Sequence, residues 1–248
     1  MFVAICQPHY LPWLGYFEMI DRVDCFVFLD HVDFCKRGWQ NRNRIRKDRT
    51  AAETKWLSVP IERASQRRDS PTSIEQARIE GSSWQSVQLS SIVQVYKRAP
   101  NFAREFPFVE ALLTAPFESL GELNRRTIAQ INERLGIQTP CISSSELSPA
   151  GAKTDMLASI LKEVGATRYL ANNGSSTYLD GAIFEGQGVH WEYQNYEHPL
   201  YAQSFGKEAL PWLSHLSVID AMMNFDGDLL SLIRSGRPDV AQENRYAG

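Results

Sequence analysis

Apolar positions along the chain follow two rhythms. Phe2 to Cys6 is an unbroken apolar run of strand length. After a polar stretch punctuated by Pro8 and Pro12, Trp13, Leu14, Phe17, Met19 and Ile20 recur at helical spacing. The same reading predicts strands at 2–6, 25–30, 55–61, 140–143, 168–172 and 189–195, and a basic loop or hairpin at 35–50. Helices are expected at 13–23, 152–165, near 176–186 and near 215–224, with a helix-rich stretch at 83–135. Gly136 and Gly165 follow the last apolar positions of two of these helices, where a helix should stop. Strand and helix alternate at both ends of the chain, which implies βαβ units and a parallel sheet covered on both faces. The expectation is therefore one α/β domain over 1–248, Rossmann-like, with a helical insertion at about 83–135. The polar end, 236–248, is expected to fray.

Composition adds bounds. The 248 residues can bury one sizeable core, and 43% hydrophobic with 22% charged residues is ordinary for a globular protein. No stretch approaches the roughly 18 apolar residues of a membrane span, and the start lacks the basic residues of a signal peptide, so a cytoplasmic protein is expected. Cys6, Cys25, Cys35 and Cys141 show no metal-site spacing and suit structural thiols. Cys35 precedes Lys36 and Arg37, cations that would activate a nucleophilic thiol if they approached it. A net charge of −3 argues against a general nucleic-acid binder. Yet Lys36, Arg37, Arg42, Arg44, Arg46, Lys47 and Arg49 crowd one short segment with a single acid, Asp48.

The chemistry candidates lie where strands end. Pro12 suits the first turn of a helix, whose free N–H groups favour a phosphate or carboxylate, which makes Gln7, His9, Tyr10 and Tyr16 candidates. Simple core packing of a tight turn is the alternative. In an extended NRNRIR segment, Arg42, Arg44 and Arg46 share one face and suit a phosphate, with Asn41 and Lys36 nearby. A solvated edge strand would show the same charges. Asp30, His31 and Asp33 follow the strand at 25–30, where a carboxylate would hold magnesium or orient His9 as a general acid or base; a plain loop cap is the other reading. Ser143, Ser144, Ser145, Glu146, Asn172, Asn173, Gly174 and Ser175 follow later strands and offer hydroxyls, amides and N–H groups to a sugar, ribose or phosphate. Tyr178, His198, Tyr201 and Gln203 form a further tier that packing explains equally well. No GxGxxG, P-loop or GxSxG motif is present.

The strings QPHYLPWLGYF, VDCFVFLDHVDF, KRGWQNRNRI, KWLSVPI, VQVYKRAPNF, CISSSEL, RYLANNGSSTYLD, YEHPLYAQ and HLSVIDAMMNFDG resemble, in order and spacing, the WbqC-like protein family. Its members occur in bacterial polysaccharide and specialised-metabolite gene clusters. The resemblance implies work on amino sugars in O-antigen assembly, such as attaching glycine. The opening also looks like a nucleotidylyltransferase pattern in which two histidines straddle a glycine at the first helix start. Here Trp13 and Tyr16 flank Gly15, so both histidines are missing.

Together these readings anticipate a transferase or ligase acting on a nucleotide- or phosphate-bearing substrate, with ATP or another nucleotide and Mg²⁺ as the cofactor class. His9, Asp30 and Lys36 would carry the chemistry; Gln7, Tyr10, Tyr16, Asn41, Arg42, Arg44, Arg46, Ser144, Asn172 and Asn173 would bind substrate. The rival readings are a protein that takes aminoacyl-tRNA as donor and a noncatalytic accessory protein of polysaccharide assembly.

Overall fold

The computed structural model describes residues 1–48, 52–66, 69–203 and 210–238. Its centre is a five-stranded parallel sheet made of β1 (Phe2–Cys6), β2 (Cys25–Phe28), β5 (Cys141–Ser143), β6 (Arg168–Ala171) and β7 (His190–Tyr193), in the order β5-β2-β1-β6-β7. This is the α/β, Rossmann-like arrangement that the alternation of strands and helices predicts. β3 (Arg42–Arg46) and β4 (Thr54–Ser58) form a separate antiparallel pair, the hairpin option for the basic segment.

The two-residue period of the strands sorts side chains onto two faces. Val3, Ile5, Cys25, Val27, Tyr169 and Ala171 meet Leu157, Ile160 and Leu161 of α5 (Lys153–Glu163) and Phe184 of α6 (Gly181–Gly186). Ala4, Cys6, Phe26, Phe28 and Leu170 point the other way, into a larger cluster. That cluster takes apolar residues from α1 (Leu14–Asp21), α2 (Ser83–Tyr96), α3 (Phe102–Thr114), α4 (Leu120–Leu135), α7 (Val218–Asn224) and α8 (Leu229–Arg234). The helix-rich stretch thus falls in the connection from β2 to β5, after the hairpin.

Helix ends follow local chemistry. Gly136 and Gly165 take left-handed φ values of 79° and 70° just past α4 and α5, as expected from their positions. Other boundaries differ from the periodicity. α1 starts at Leu14 because Trp13 is still extended, and α6 and α7 start late because Asp180 and Ser217 cap them. α8, capped by Asp228, is a short helix that the sequence reading did not assign. Most of the polar segment 236–248 lies outside the described residues, as does Arg49. Among the described residues no helix is long and apolar enough to cross a membrane.

Candidate functional site

The sheet order places a topological switch at β1: β2 and β5 lie on one side, β6 and β7 on the other. In open α/β sheets a crevice opens at the carboxyl ends of the two strands flanking such a switch. Here a cleft of about 500 Å³ lies there, with Ile5 and Cys6 from β1 and Tyr169 from β6 in its lining.

The loop after β1 has no ladder partner, so its carbonyls need other donors. Two buried asparagines supply them. Asn43 of β3 donates to the carbonyls of Tyr10 (3.1 Å) and Leu11 (2.7 Å), the latter at a left-handed φ of 40°. Asn124 of α4 donates to those of Pro8 (2.9 Å) and Gln40 (2.8 Å). Gln40 in turn donates to Gln7 Oε1 (2.9 Å) and accepts from the Cys35 N–H (2.8 Å), while the Tyr10 N–H donates to the Trp39 carbonyl (2.9 Å). The 35–40 turn is therefore latched to the β1 loop, and Trp39 becomes a wall of the cleft.

His9 projects into this space and packs against Tyr16, ring centroids 5.2 Å apart. Burial pushes its imidazole down to about 4, so it is neutral at physiological pH. Across the cleft, Asn172 caps the turn after β6, accepting from the Gly174 N–H (2.7 Å) and lying 3.6 Å from Cys6 Sγ. Burial raises the Cys6 thiol to about 11, which makes it a packing group and not a nucleophile. Trp13 folds back over Gly15 and joins an aromatic cluster with Tyr196, His198 and His215. His215 also lines the cleft, its imidazole lowered first by burial and then by the charge of Arg44.

Among the described residues no Asp, Glu, Lys or Arg lines the cleft; the polar groups there are neutral amides, imidazoles and hydroxyls between aromatic walls. Positive charge begins at the rim. The Arg44 guanidinium lies 5.4 Å from the Trp39 ring and 5.8 Å from Trp56, and that of Arg42 lies 4.0 Å over Trp56.

The cleft thus brings together Gln7, His9 and Asn172, with Arg44 beside its wall residue Trp39 and Arg42 farther out on Trp56. Other candidates sit elsewhere. Arg46 shares the strand face with Arg42 and Arg44, but Gln203 and Pro211 lie against it. It is fully buried, donating to Gln203 Oε1 (2.8 Å) and the Pro211 carbonyl (2.6 Å), so it is a core anchor. Tyr10 is also fully buried and donates to Gln88 (2.6 Å). Tyr16 is buried beneath the loop, donating to the Gln7 carbonyl (3.1 Å). Asn41 donates to the Val59 carbonyl (3.0 Å), and Asn173 exchanges two bonds with Asn195, away from the cleft. Lys36 and Cys35 are exposed on their turn and do not line the cleft.

Asp30 needs the largest correction. Its carboxylate is fully buried and accepts from Arg125 Nη1 (2.6 Å), the Ser145 N–H (3.0 Å), Ser144 Oγ (3.1 Å) and Ser143 Oγ. Arg125 also pairs with Glu75. With its oxygens taken, Asp30 neither orients His9 nor offers a magnesium ligand; it ties β2 to β5 and α4. Ser144 is buried in the same network, 2.6 Å from His31 Nδ1. Among the described residues no cluster of three metal-ligating side chains occurs.

Of the further tier, Tyr178 lines the cleft and His198 stacks on Trp13 at 5.9 Å. Tyr201 and Gln203 belong to a buried group around Asp220, where Tyr96 and Tyr201 donate to the carboxylate at 2.7 and 2.8 Å. The cleft residues that went unassigned include Trp13, Leu29, Trp39, Leu157, Tyr169 and His215. Only a long-range alignment of chain segments brings them together, so spacing carried no signal for them.

The WbqC-like protein family model matches residues 7–230. The uncharacterized protein Rv1507c of Mycobacterium tuberculosis is 28% identical over 234 residues, covering 94% of this chain and 97% of the relative. No solved structure matches significantly.

Proposed function

Since this chain belongs to the WbqC-like protein family, we propose that it is a transferase that seats a sugar in the switch-point cleft and holds the sugar's phosphate at Arg44 and Arg42. One observation carries this reading: among the described residues, a lining without charged side chains meets guanidiniums at its rim that have no carboxylate partner. Neutral hydrogen-bonding groups between aromatic walls suit hydroxyls and the apolar faces of a sugar ring. A phosphate cannot enter such a lining without losing its hydration, whereas stacked arginines at the rim offer charge-assisted bonds.

The family resemblance supplies the reaction class, aminoacyl transfer to an amino sugar. In that reaction the sugar nitrogen adds to an acyl carbonyl, the bond from that carbon to its leaving group breaks, and one proton leaves the nitrogen. His9, neutral at physiological pH and within the cleft, would hold the reacting groups by hydrogen bonds; with its value pushed down to about 4 it is too weak a base to keep that proton, which passes on to solvent. Gln7 and Asn172 would orient the ring.

Titration calorimetry with a hexosamine 1-phosphate and with the free hexosamine tests the reading. The phosphate ester should bind and the free sugar should bind far more weakly. Arg44→Ala should weaken the ester roughly tenfold to a hundredfold, the range for a lost charge-assisted contact. Equal affinity of wild type and Arg44→Ala for the ester would refute the assignment.

A further inference from the structure

The outer face of the β3–β4 hairpin carries more than a phosphate requires. Trp39 and Trp56 are 41% and 44% exposed, with ring centroids 5.4 Å apart and planes inclined at 48°. Arg44 and Trp56 are register partners across the hairpin, so the guanidinium of Arg44 stands at the junction of the two indoles. Arg42 lies two residues along the same strand and stacks on Trp56. Both Nε atoms are shielded from solvent and have no acceptor among the described residues, and no carboxylate there pairs with either guanidinium. Large indoles are normally kept out of water, and two adjacent exposed ones mark a contact surface.

We propose that this face is a nucleobase-and-diphosphate platform, so that the substrate of the cleft is a sugar linked to a nucleoside diphosphate. The inference rests on the assignment of the cleft to a sugar phosphate and names the group beyond the phosphate. Alternate residues of an extended strand stand roughly 6.5 Å apart, which lets two guanidiniums flank two successive phosphates. The base then stacks on the indoles, the sugar enters past Trp39, and Arg44 stands between them. A polynucleotide track would need the cationic row to continue. Along the strand it stops: Arg46 is sealed in the core and Lys47 is paired with Glu53 at 2.5 Å.

Calorimetry with UDP, ADP, inorganic pyrophosphate and a 12-nucleotide single-stranded RNA tests this, using wild type, Trp56→Ala and Arg44→Ala. At least one nucleoside diphosphate should bind roughly five to a hundred times tighter than pyrophosphate, the range of base–aromatic stacking. Trp56→Ala should erase that advantage by weakening the nucleoside diphosphates more than pyrophosphate, which feels only the loosened seat of Arg42, whereas Arg44→Ala should weaken all three small ligands. The exposed position of Trp56 should leave the melting temperature of Trp56→Ala near that of wild type, which a thermal scan checks. Nucleoside diphosphates no tighter than pyrophosphate would overturn the platform, and the sugar-phosphate reading would stand if hexosamine 1-phosphate still depends on Arg44. RNA that binds tightest with a steep salt dependence would overturn it in favour of a macromolecular ligand. Failure of both the ester and the diphosphates to bind would overturn both readings.

Discussion

Gly15→Ala tests whether the cleft wall is wedged in place. A Cβ on Gly15 would stand 2.6 and 2.7 Å from Trp13 Cζ2 and Cζ3, and closer still to Cη2. The indole cannot simply swing away, because Tyr196, His198 and His215 pack around it with ring centroids 5.5, 5.9 and 4.7 Å distant. Forcing one extra methyl into such a site costs about 1–3 kcal/mol. Against this, replacing glycine by alanine inside a helix gains about 0.5–1 kcal/mol. The net effect is a destabilisation of up to roughly 2.5 kcal/mol. In a Trp13→Leu background the clash disappears and the same substitution should stabilise by about 0.5–1 kcal/mol. Urea unfolding of the four proteins in the cycle gives a coupling of about 1–3 kcal/mol if the reasoning holds. The displaced indole should also lower hexosamine 1-phosphate affinity in Gly15→Ala alone. Stabilisation by Gly15→Ala in both backgrounds would refute the wedge.

Two other outcomes follow from buried groups. Asp30→Ala strands Arg125, held then only by Glu75, and leaves Ser143, Ser144 and the Ser145 N–H without their acceptor; a loss of about 3–5 kcal/mol in urea unfolding is expected, and a loss below about 1 kcal/mol would contradict the tie between β2 and β5. His9 has a folded value near 4 against an ordinary 6.5, so the unfolded chain binds its proton first on acidification. Its contribution is present above about pH 6.5 and is lost as pH falls towards 4, by roughly 3 kcal/mol at most. His198 and His215 are lowered as well, so the measurement is the difference between wild type and His9→Asn, whose stability should decline less over that window.

What the sequence disclosed depended on the distance over which each feature is decided. The parallel sheet was legible because Phe2–Cys6 and its fellows are apolar runs, and because Gly136 and Gly165 stop helices by backbone chemistry that neighbours cannot change. The shared face of Arg42, Arg44 and Arg46 was also legible, since alternation is a property of any extended strand. Whether each arginine meets water was not, because the cover over Arg46 comes from Pro211, 165 residues away. Asp30 looked like a ligand beside His31 and Asp33, but its partner Arg125 is 95 positions distant. His215 and Trp13 share a wall through the same kind of remote encounter.

The crevice between β1 and β6 also has a history in time. Cys6 and Asn172, which touch each other in its lining, are 166 positions apart in the chain. Closing a flexible loop of that length costs on the order of 4.5 kcal/mol in chain entropy by the logarithmic rule. A chain emerging from the ribosome has its first strand long before the second half of the crevice exists, so binding competence arrives late in synthesis. Once formed, a ligand bridging Gln7 and Asn172 joins the two ends of that loop, and behaves as a noncovalent clasp on the whole topology.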